Sequence, residues 1–214
     1  MNLKKLILVS AIALSSSLVW AQDISRGFTR IYGGAAFMNM QDADSDETDK
    51  GFQIGVARYF NLAGGNLPVY LQLGAEYNYL TYSDTEDGIE GKETVANIAI
   101  PVNLVYRFGF EHNAFMEFSA GPNFRINTTG KLKVSNSYDS ATLDFFDDFE
   151  ARRFQFGLNA GVALTFSRVS LAYRFNPDLM DYVDKDKLEE KYDQDMGEVK
   201  TKSTYHFITL GFTF

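Results

Sequence analysis

Three aspartates near the N-terminus are spaced like the ligands of a metal site. Asp42, Asp44 and Asp46 alternate with other residues, as the first oxygen ligands of an EF-hand calcium loop do. Glu47 stands where that loop needs glycine for its sharp turn, and Gln53 stands where it needs a bidentate glutamate. We therefore expect no dedicated calcium site in this segment, and the sequence predicts neither a metal site nor a cofactor elsewhere.

The two histidines are the other candidates for chemistry. His112 falls in a short predicted turn, and His206 lies near the start of the last predicted strand, three residues from Ser203. An acyl-transfer centre needs a base within hydrogen-bond reach of its nucleophile and an orienting group behind the base, and no acidic residue occupies a matching position. The chain has no cysteine, which excludes thiolate catalysis, disulfides and cysteine-ligated metals. We predict that the protein is not an enzyme, with a lipid-modifying centre around His206 as the enzymatic alternative.

Apolar and polar residues alternate along most of the chain, which is the period of a β-strand with one apolar face. In residues 94–108, for example, Ile98 and Val102 occupy even positions, whereas Asn97 and Asn103 occupy odd ones. One face of such a strand suits lipid and the other suits water, and each segment has about the length that a tilted membrane strand needs. Eight segments show the alternation: residues 29–38, 51–60, 69–81, 94–108, 114–126, 154–166, 169–175 and 205–214.

Composition favours a membrane barrel over other classes. Aromatic residues make up 15% of the chain, and the mean hydropathy is −0.19. Barrel strands carry apolar residues only at every second position, so the mean hydropathy stays low although one face is apolar. The sequence therefore predicts an all-β fold, an eight-stranded antiparallel up-and-down transmembrane β-barrel. A secreted lipocalin-like barrel would place apolar residues inside, and the polar face shared by Gln72, Glu76 and Asn78 argues against it.

Several ionisable residues have the parity of the polar face and are predicted to point into the barrel. An eight-stranded barrel is only wide enough for side chains to fill, and charges buried there must be paired. We interpret these residues as a structural network that fills the lumen, with Arg107 and Glu117 pairing across a short turn. The alternative is a set of charges that selects ions or binds a solute. The predicted inward residues are Glu76, Arg107, Glu117, Arg125, Arg168 and Arg174.

The connections between predicted strands are of two kinds. Short ones lie at residues 61–67, 109–113 and 167, and long polar ones at residues 39–50, 83–93, 127–151 and 176–203. Bacterial barrels place long loops outside the cell and short turns in the periplasm. The long loops hold most of the 28 acidic residues, so their combined charge is more negative than the net charge of −8 of the whole chain. A solvated rim is the simplest interpretation of this acidity, and an attraction for cationic partners is the alternative.

Two of the long loops carry further patterns. In the fourth loop, Leu188 and Tyr192 are four residues apart among Lys and Glu, so residues 184–198 suit either a short helix or a solvated loop. The third loop, residues 127–151, suits either a displayed binding surface or a lid that folds back over the barrel mouth. It interleaves four aromatic residues with acids: Tyr138, Phe145, Phe146 and Phe149.

Two prolines fall in the middle of neighbouring predicted strands. Pro101 has inward parity and Pro122 has outward parity. Because proline lacks the N–H that a ladder bond needs, we predict one shared irregularity, a β-bulge or a kink, at this point of the sheet.

Both ends of the chain carry export signals. Residues 1–21 have Lys4 and Lys5, then an apolar run, then small residues ending at Ala21, which is the order of a cleaved secretory signal peptide. The barrel should then comprise residues 22–214. The chain ends in an alternating strand with Phe212 and Phe214, a pattern typical of the last strand of outer-membrane barrels, which the barrel-assembly machinery binds.

Three motifs carry a family resemblance. The segment NIAIPVNLVYRF, followed by Gly121 and Pro122, then RFQFGLNAGVALTF and VSLAYRFNPDLMDYV, resembles the PorT-like outer-membrane β-barrel family common in Bacteroidetes. The resemblance covers most of the chain from Val69 onward and implies an eight-stranded outer-membrane barrel; some members of the family are tied to protein secretion. Thr209 departs from the glycine of typical terminal signals, and Gly211 is out of register, which indicates a variant assembly signal.

These observations predict a monomeric barrel in the bacterial outer membrane with a structural or surface-interaction role through its acidic loops. Expected partners are membrane lipid, the assembly machinery through Phe212 and Phe214, and an extracellular cationic or protein partner, with no nucleic acid. The alternatives are a narrow channel for small solutes, a component linked to protein secretion and a lipid-modifying rim enzyme.

Overall fold

The computed structural model describes residues 27–40, 48–62, 68–86, 89–111, 113–135, 139–192 and 201–214. Several features singled out in the sequence lie outside these residues: the signal peptide, Asp42, Asp44 and Asp46, His112, Tyr138 and residues 193–198.

The described part of the chain forms nine strands and one helix. They are β1 (Gly27–Met40), β2 (Thr48–Asn61), β3 (Val69–Glu86), β4 (Ile89–Glu111), β5 (Ala114–Ser135), β6 (Ser140–Asp144), β7 (Phe154–Phe166), β8 (Val169–Pro177), α1 (Lys185–Tyr192) and β9 (Ser203–Thr213). Among these residues, no helix has both the length and the apolar character needed to cross a membrane.

The strands pair antiparallel in a ring. Starting from β1, each strand pairs with the next in the order β2, β3, β4, β5, β7, β8 and β9, and β9 pairs back with β1. Where the two end strands meet, the amide of Phe214 donates to the carbonyl of Thr29 at 2.8 Å. β1 begins and β9 ends at the same end of the ring, which we call the turn end because the short connections lie there. The other end is the loop end, and β6 pairs with the part of β5 nearest to it.

Side-chain burial alternates along the strands. Gln53, Asn78, Asn97 and Asn103 are fully buried in the interior, whereas Leu104 on the outer face is 55% exposed. The interior is therefore polar and the exterior apolar, which suits a wall that faces lipid and is the inverse of a soluble barrel. The predicted all-β antiparallel barrel of the outer-membrane type is confirmed.

Two of the predicted loops are largely strand. β3 continues to Glu86 and pairs with β4 from Ile89 onward, so residues 83–86 and 89–93 are strand, while β5 runs to Ser135 and pairs with β6. The apolar alternation ends where these strands leave the apolar wall, but backbone pairing continues through Ser-, Thr- and Lys-rich sequence, and alternation could not detect it. We call residues 81–86, 89–95, 129–135 and 140–144 the projecting ribbon.

The prolines interrupt the pairing without shifting it. Between β3 and β4 the pairs stop at Gly74, opposite Pro101, and resume in the same register. Between β4 and β5 the pairs likewise stop after Pro101 and resume at Leu104 in the same register, so the irregularity that Pro101 and Pro122 share is a gap in the pairing and not a bulge. The Pro101 ring fits against a glycine: a Cβ on Gly74 would lie 2.7 Å from the proline Cγ. Register shifts between β4 and β5 lie instead between Ala96 and Asn97, where Thr128 is the extra residue on β5, and between Gly109 and Glu111.

We predict that a charge on the apolar wall destabilises the barrel. In a bilayer, Leu104→Arg should lower the free energy of unfolding by about 2–4 kcal/mol, because the outward side chain lies within the apolar wall and faces hydrocarbon. Ser83→Arg, on the outward face of the projecting ribbon, should change it by only about 0–1 kcal/mol. Denaturant unfolding of both variants in liposomes measures the difference, and equal losses would contradict the assignment of the wall.

Candidate functional site: the filled lumen and its cap

Glu117 on β5 binds two arginines at the turn end of the lumen. Arg30 on β1 donates from its two terminal nitrogens to the two carboxylate oxygens at 2.7 and 3.0 Å. Arg107 on β4 donates to one of these oxygens through Nε at 2.9 Å and through Nη2 at 2.5 Å. Thr165 on β7 donates its hydroxyl to the same oxygen at 3.3 Å. We call this buried group the Glu117 cluster.

The Glu117 cluster holds two guanidinium groups and one carboxylate. Aromatic rings face the two cations: the guanidinium carbon of Arg107 lies 4.4 Å from the centre of the Phe28 ring, and that of Arg30 lies 5.1 Å from the Tyr59 ring. Phe28 and Tyr59 stack on each other with their centres 4.2 Å apart. The negative faces of these rings stabilise the positive charge that the shared carboxylate does not balance.

Glu76 on β3 forms a second cluster, nearer the middle of the lumen. Arg174 on β8 donates to Glu76 and to Gln53, and Gln53 donates to Glu76 at 2.9 Å. The Tyr32 hydroxyl donates to Glu76 at 2.5 Å, and Gln53 also donates to Asn78 at 2.8 Å. The buried carboxylate thus receives donors from three side chains, which offsets its loss of hydration. We call this group the Glu76 cluster.

These two ion pairs connect opposite walls of the barrel. β1, which carries Arg30, and β5, which carries Glu117, are four strands apart around the ring in either direction. The same separation divides β8, which carries Arg174, from β3, which carries Glu76. Each pair therefore joins strands that share no backbone hydrogen bond, and together they brace the cross-section of the barrel.

Glycines on the inner face make room for the arginines. A Cβ added to Gly161 would lie 2.8 Å from the side chain of Arg174, and one added to Gly211 would lie 2.9 Å from that of Arg30. Both distances are too short for carbon atoms in contact. The lumen is filled because small residues on some strands accommodate large side chains from others.

A third group of paired charges lies towards the loop end. Arg125 on β5 donates from one nitrogen to both carboxylate oxygens of Asp178 at 2.6 and 2.8 Å. Asp178 follows the last residue of β8, and an isolated bridge to Gly157 holds it beside β7. The Tyr205 ring centre lies 3.7 Å from the guanidinium carbon of Arg125. Three groups of paired charges are thus stacked along the lumen.

A small cavity lies between the first two clusters. Its volume is about 30 Å³, and Arg30, Tyr32, Glu117 and Arg174 are among its walls. Since one water needs roughly 10–15 Å³ by this measure, the cavity has room for about two waters. It is too small for a metabolite.

Residues 145–153 and 178–192 fold over the loop end, and we call them the cap. Phe146, Ala151 and Tyr182 form a buried apolar cluster within it. Phe145 packs both against this cluster and against apolar residues at the loop end of the lumen: Ala36, Met38, Leu80, Val95, Tyr205 and Phe207. Of the two interpretations that the sequence left open for this loop, the structure therefore favours the lid. Burial raises the pKa of the Tyr182 hydroxyl, which keeps it neutral.

Side chains of helix α1 bind the other segment of the cap. Lys191 donates to the carbonyl of Asp147 and to the Glu150 carboxylate at 3.0 Å, and the Tyr192 hydroxyl donates to the carbonyl of Asp148 at 3.1 Å. The hydrogen bond to Glu150 raises the pKa of Lys191, which keeps the ammonium group charged. The two segments of the cap are thereby joined by side chains as well as by backbone.

A family model for the outer membrane protein beta-barrel domain matches residues 20–184. The chain belongs to this family. Membership implies that the barrel lies in the bacterial outer membrane. The match does not distinguish PorT-like barrels from other members, so that finer resemblance stays a prediction.

Solved structures of outer-membrane barrel proteins also resemble this barrel domain over most of its length. The attachment invasion locus protein Ail of Yersinia pestis is 15% identical with a TM-score of 0.48, covering 88% of this chain and 99% of Ail. OprG from Pseudomonas aeruginosa is 13% identical with a TM-score of 0.44, covering 90% and 99%. The outer membrane enzyme PagL is 9% identical with a TM-score of 0.44, covering 87% and 98%. No curated protein matches the sequence.

The structure of the barrel domain buries five of the six residues predicted to point inward: Glu76, Arg107, Glu117, Arg125 and Arg174. Arg107 and Glu117 lie directly opposite each other and pair, as expected. The prediction was wrong for Arg168, which is exposed in the turn between β7 and β8. The preceding residue, Ser167, has a positive φ of 54°, so the alternation of a strand no longer applies there.

Two charged members of the network were not predicted. Arg30 lies on β1, where Gly33, Gly34 and neighbouring alanines weaken the alternation that reveals inward positions. Asp178 lies beyond the end of β8, where an acid appears as part of a polar loop. An excess of predicted inward arginines over acids was the available signal that further partners existed.

The barrel domain does not bring the candidate rim residues together. Ser203 is fully buried on the inner face of β9, whereas His206 lies on the outer face and its Nδ1 is 2.8 Å from the Tyr173 hydroxyl. Residues on opposite faces of one strand cannot form a nucleophile–base pair. Within the described ranges, no cluster of His, Asp and Glu has the arrangement of a metal site.

We predict that the shared carboxylate matters more than either arginine. Glu117→Ala should lower the free energy of unfolding by about 3–5 kcal/mol, because it leaves two buried guanidinium groups unpaired. Arg107→Met should cost less, because Arg30 and Glu117 then remain as a neutral pair. Denaturant unfolding in liposomes compares the two variants, and a larger loss for Arg107→Met would show that charge balance does not govern the cluster.

Proposed function

We propose that this protein is an eight-stranded transmembrane barrel with a closed lumen, and that its role at the cell surface is structural or interactive. The observation that carries the proposal is the packing of Phe145, which joins the cap to the apolar end of the lumen. A channel would need water at this point, and apolar side chains occupy it.

The charged interior supports the same conclusion. A solute moving along the axis would have to separate Arg30 from Glu117 and Arg174 from Glu76, since both pairs cross the lumen. Breaking a buried ion pair leaves an uncompensated charge at a cost of about 3–5 kcal/mol. The geometry therefore favours a braced wall over a pathway, and the inward charges act as internal support.

The orientation follows from the two kinds of connection. Bacterial barrels keep short turns in the periplasm and extended connections outside. The proposal places the turn end in the periplasm after removal of residues 1–21, and the cap and projecting ribbon outside. The assembly machinery would then bind the terminal strand, which has Phe212 and Phe214 on its outer face, during insertion.

The displayed surface suits weak, long-range recognition. Acidic residues of the cap, including Asp147, Asp181 and Glu189, give it a negative field that attracts cationic partners or divalent ions more than polyanions. Such an attraction fades as salt rises past about 0.15 M, where the screening length is about 8 Å. The expected partner is a cationic protein or surface, bound by a monomeric barrel.

Cysteine labelling tests the proposed orientation, because the natural chain contains no cysteine. We expect Ala141→Cys, exposed on β6, to react with a membrane-impermeant maleimide on intact cells. Arg168→Cys, exposed in the turn between β7 and β8, is the matched control and should react only after lysis. Labelling of Arg168→Cys on intact cells, with Ala141→Cys protected, would reverse the orientation and overturn the proposal.

A further inference from the structure

The outward face of the projecting ribbon is basic, although the loops as a whole are acidic. Two rows of paired residues run across its strands, and the first row continues onto β2 at Lys50. The first row is Lys50, Thr81, Thr94 and Lys131, and the second is Ser83, Lys92, Lys133 and Thr142. We call Lys50, Lys92, Lys131 and Lys133, all of which are exposed, the basic face.

The bulge at Thr128 brings the β5 lysines to this face. Before the bulge, odd residues of β5 such as Arg125 point inward; after it, even residues do. Gly130 shows the change, since a Cβ there would lie 3.0 Å from the Tyr182 hydroxyl inside the cap. Lys131 and Lys133 therefore point outward, in line with Lys92 and Lys50.

Among the described residues, the lysines of the basic face have no counter-ion. Lys92 and Lys133 are direct cross-strand partners, and like charges placed opposite each other destabilise a sheet. Asp144 is opposite Lys131, but its carboxylate accepts the amide N–H of Phe146 at 2.9 Å. Glu90 lies one row further out. In the part of the chain that the structure describes, none of the four lysines forms an ion pair, so the face is complementary to an external anion.

The basic face begins where the apolar wall ends. One row closer to the wall, Phe52 and Tyr79 stack with ring centres 5.6 Å apart, and the next row holds Ile54, Tyr77 and Ile98. Aromatic residues mark the boundary between hydrocarbon and headgroups in membrane barrels. Residues just beyond that boundary meet the headgroups of the lipid whose chains cover the wall.

We propose that the basic face binds the phosphate groups of an outer-leaflet lipid headgroup. Lysine ammonium groups attract phosphate as point charges, and the hydroxyls of Ser83, Thr94 and Thr142 between them can donate hydrogen bonds. A lipid fits better than a soluble anion because its acyl chains would cover the adjoining apolar rows. The assignment to the outer leaflet rests on the proposed orientation, whereas the site itself rests on the register of the ribbon.

The test uses the full-length protein in neutral detergent micelles that contain diphosphorylated lipid A, with retained lipid measured by native mass spectrometry. Lys92→Gln combined with Lys133→Gln should weaken binding roughly twenty-five-fold, at about fivefold per lysine. The matched control combines Lys187→Gln with Arg168→Gln, which removes two exposed positive charges elsewhere, and it should bind like the unmodified protein. Circular dichroism verifies that both double variants are folded.

Each outcome bears on the proposal. Retention of dephosphorylated lipid A as tight as that of the diphosphorylated form would overturn it, and so would equal weakening by the control. If an equal concentration of inorganic pyrophosphate displaced the lipid, the ligand of the basic face would be a soluble phosphate and not a lipid headgroup, which would also overturn the proposal. Micelles have no sidedness, so this test does not depend on the proposed orientation. If the unmodified protein did not retain diphosphorylated lipid A in micelles while Ala141→Cys was labelled on intact cells, the lipid site would be wrong and the proposed orientation would stand.

Discussion

Charges buried inside a wall of lipid-facing strands must be compensated by other groups inside the lumen, chiefly opposite charges, and this constraint organises the barrel. Arg30 reaches Glu117 and Arg174 reaches Glu76 across the full width of the lumen. Backbone hydrogen bonds fix each strand to its neighbours, but they leave the shape of the ring free to flatten. The crossing pairs join walls that backbone bonding does not connect, and the inner glycines are placed where these long side chains need space.

Much of the fold could be predicted because a barrel strand has a simple period. Alternation located the long strands and their faces, and parity indicated that Glu76 and Glu117 point inward. What parity could not supply was the partner across the lumen, since opposite walls are far apart in sequence. It also failed wherever the backbone left regular strand geometry, at the positive φ of Ser167 and at the bulge of Thr128, where side chains beyond the irregularity change face.

The loop end was the least predictable part for a related reason. Sequence treats residues 127–151 as one polar loop, but pairing divides them into a ribbon edge and a cap. Phe145 belongs to the cap and packs inward, whereas Lys133 belongs to the ribbon and faces outward. A net charge for the whole loop conceals this separation, which only strand register reveals. In the proposals above, the acidic cap thus faces cationic partners, whereas the basic face of the ribbon faces lipid headgroups.

We propose that the barrel is closed along its length. Planar-bilayer recording of the purified, refolded full-length protein tests it most directly, with an open porin in the same lipid as the positive control. Because Phe145 packs against the apolar loop end of the lumen and paired charges lie along its length, we expect no stable conductance above the bare-membrane baseline. A stable, reproducible single-channel conductance would contradict it and would make the lumen a solute pathway.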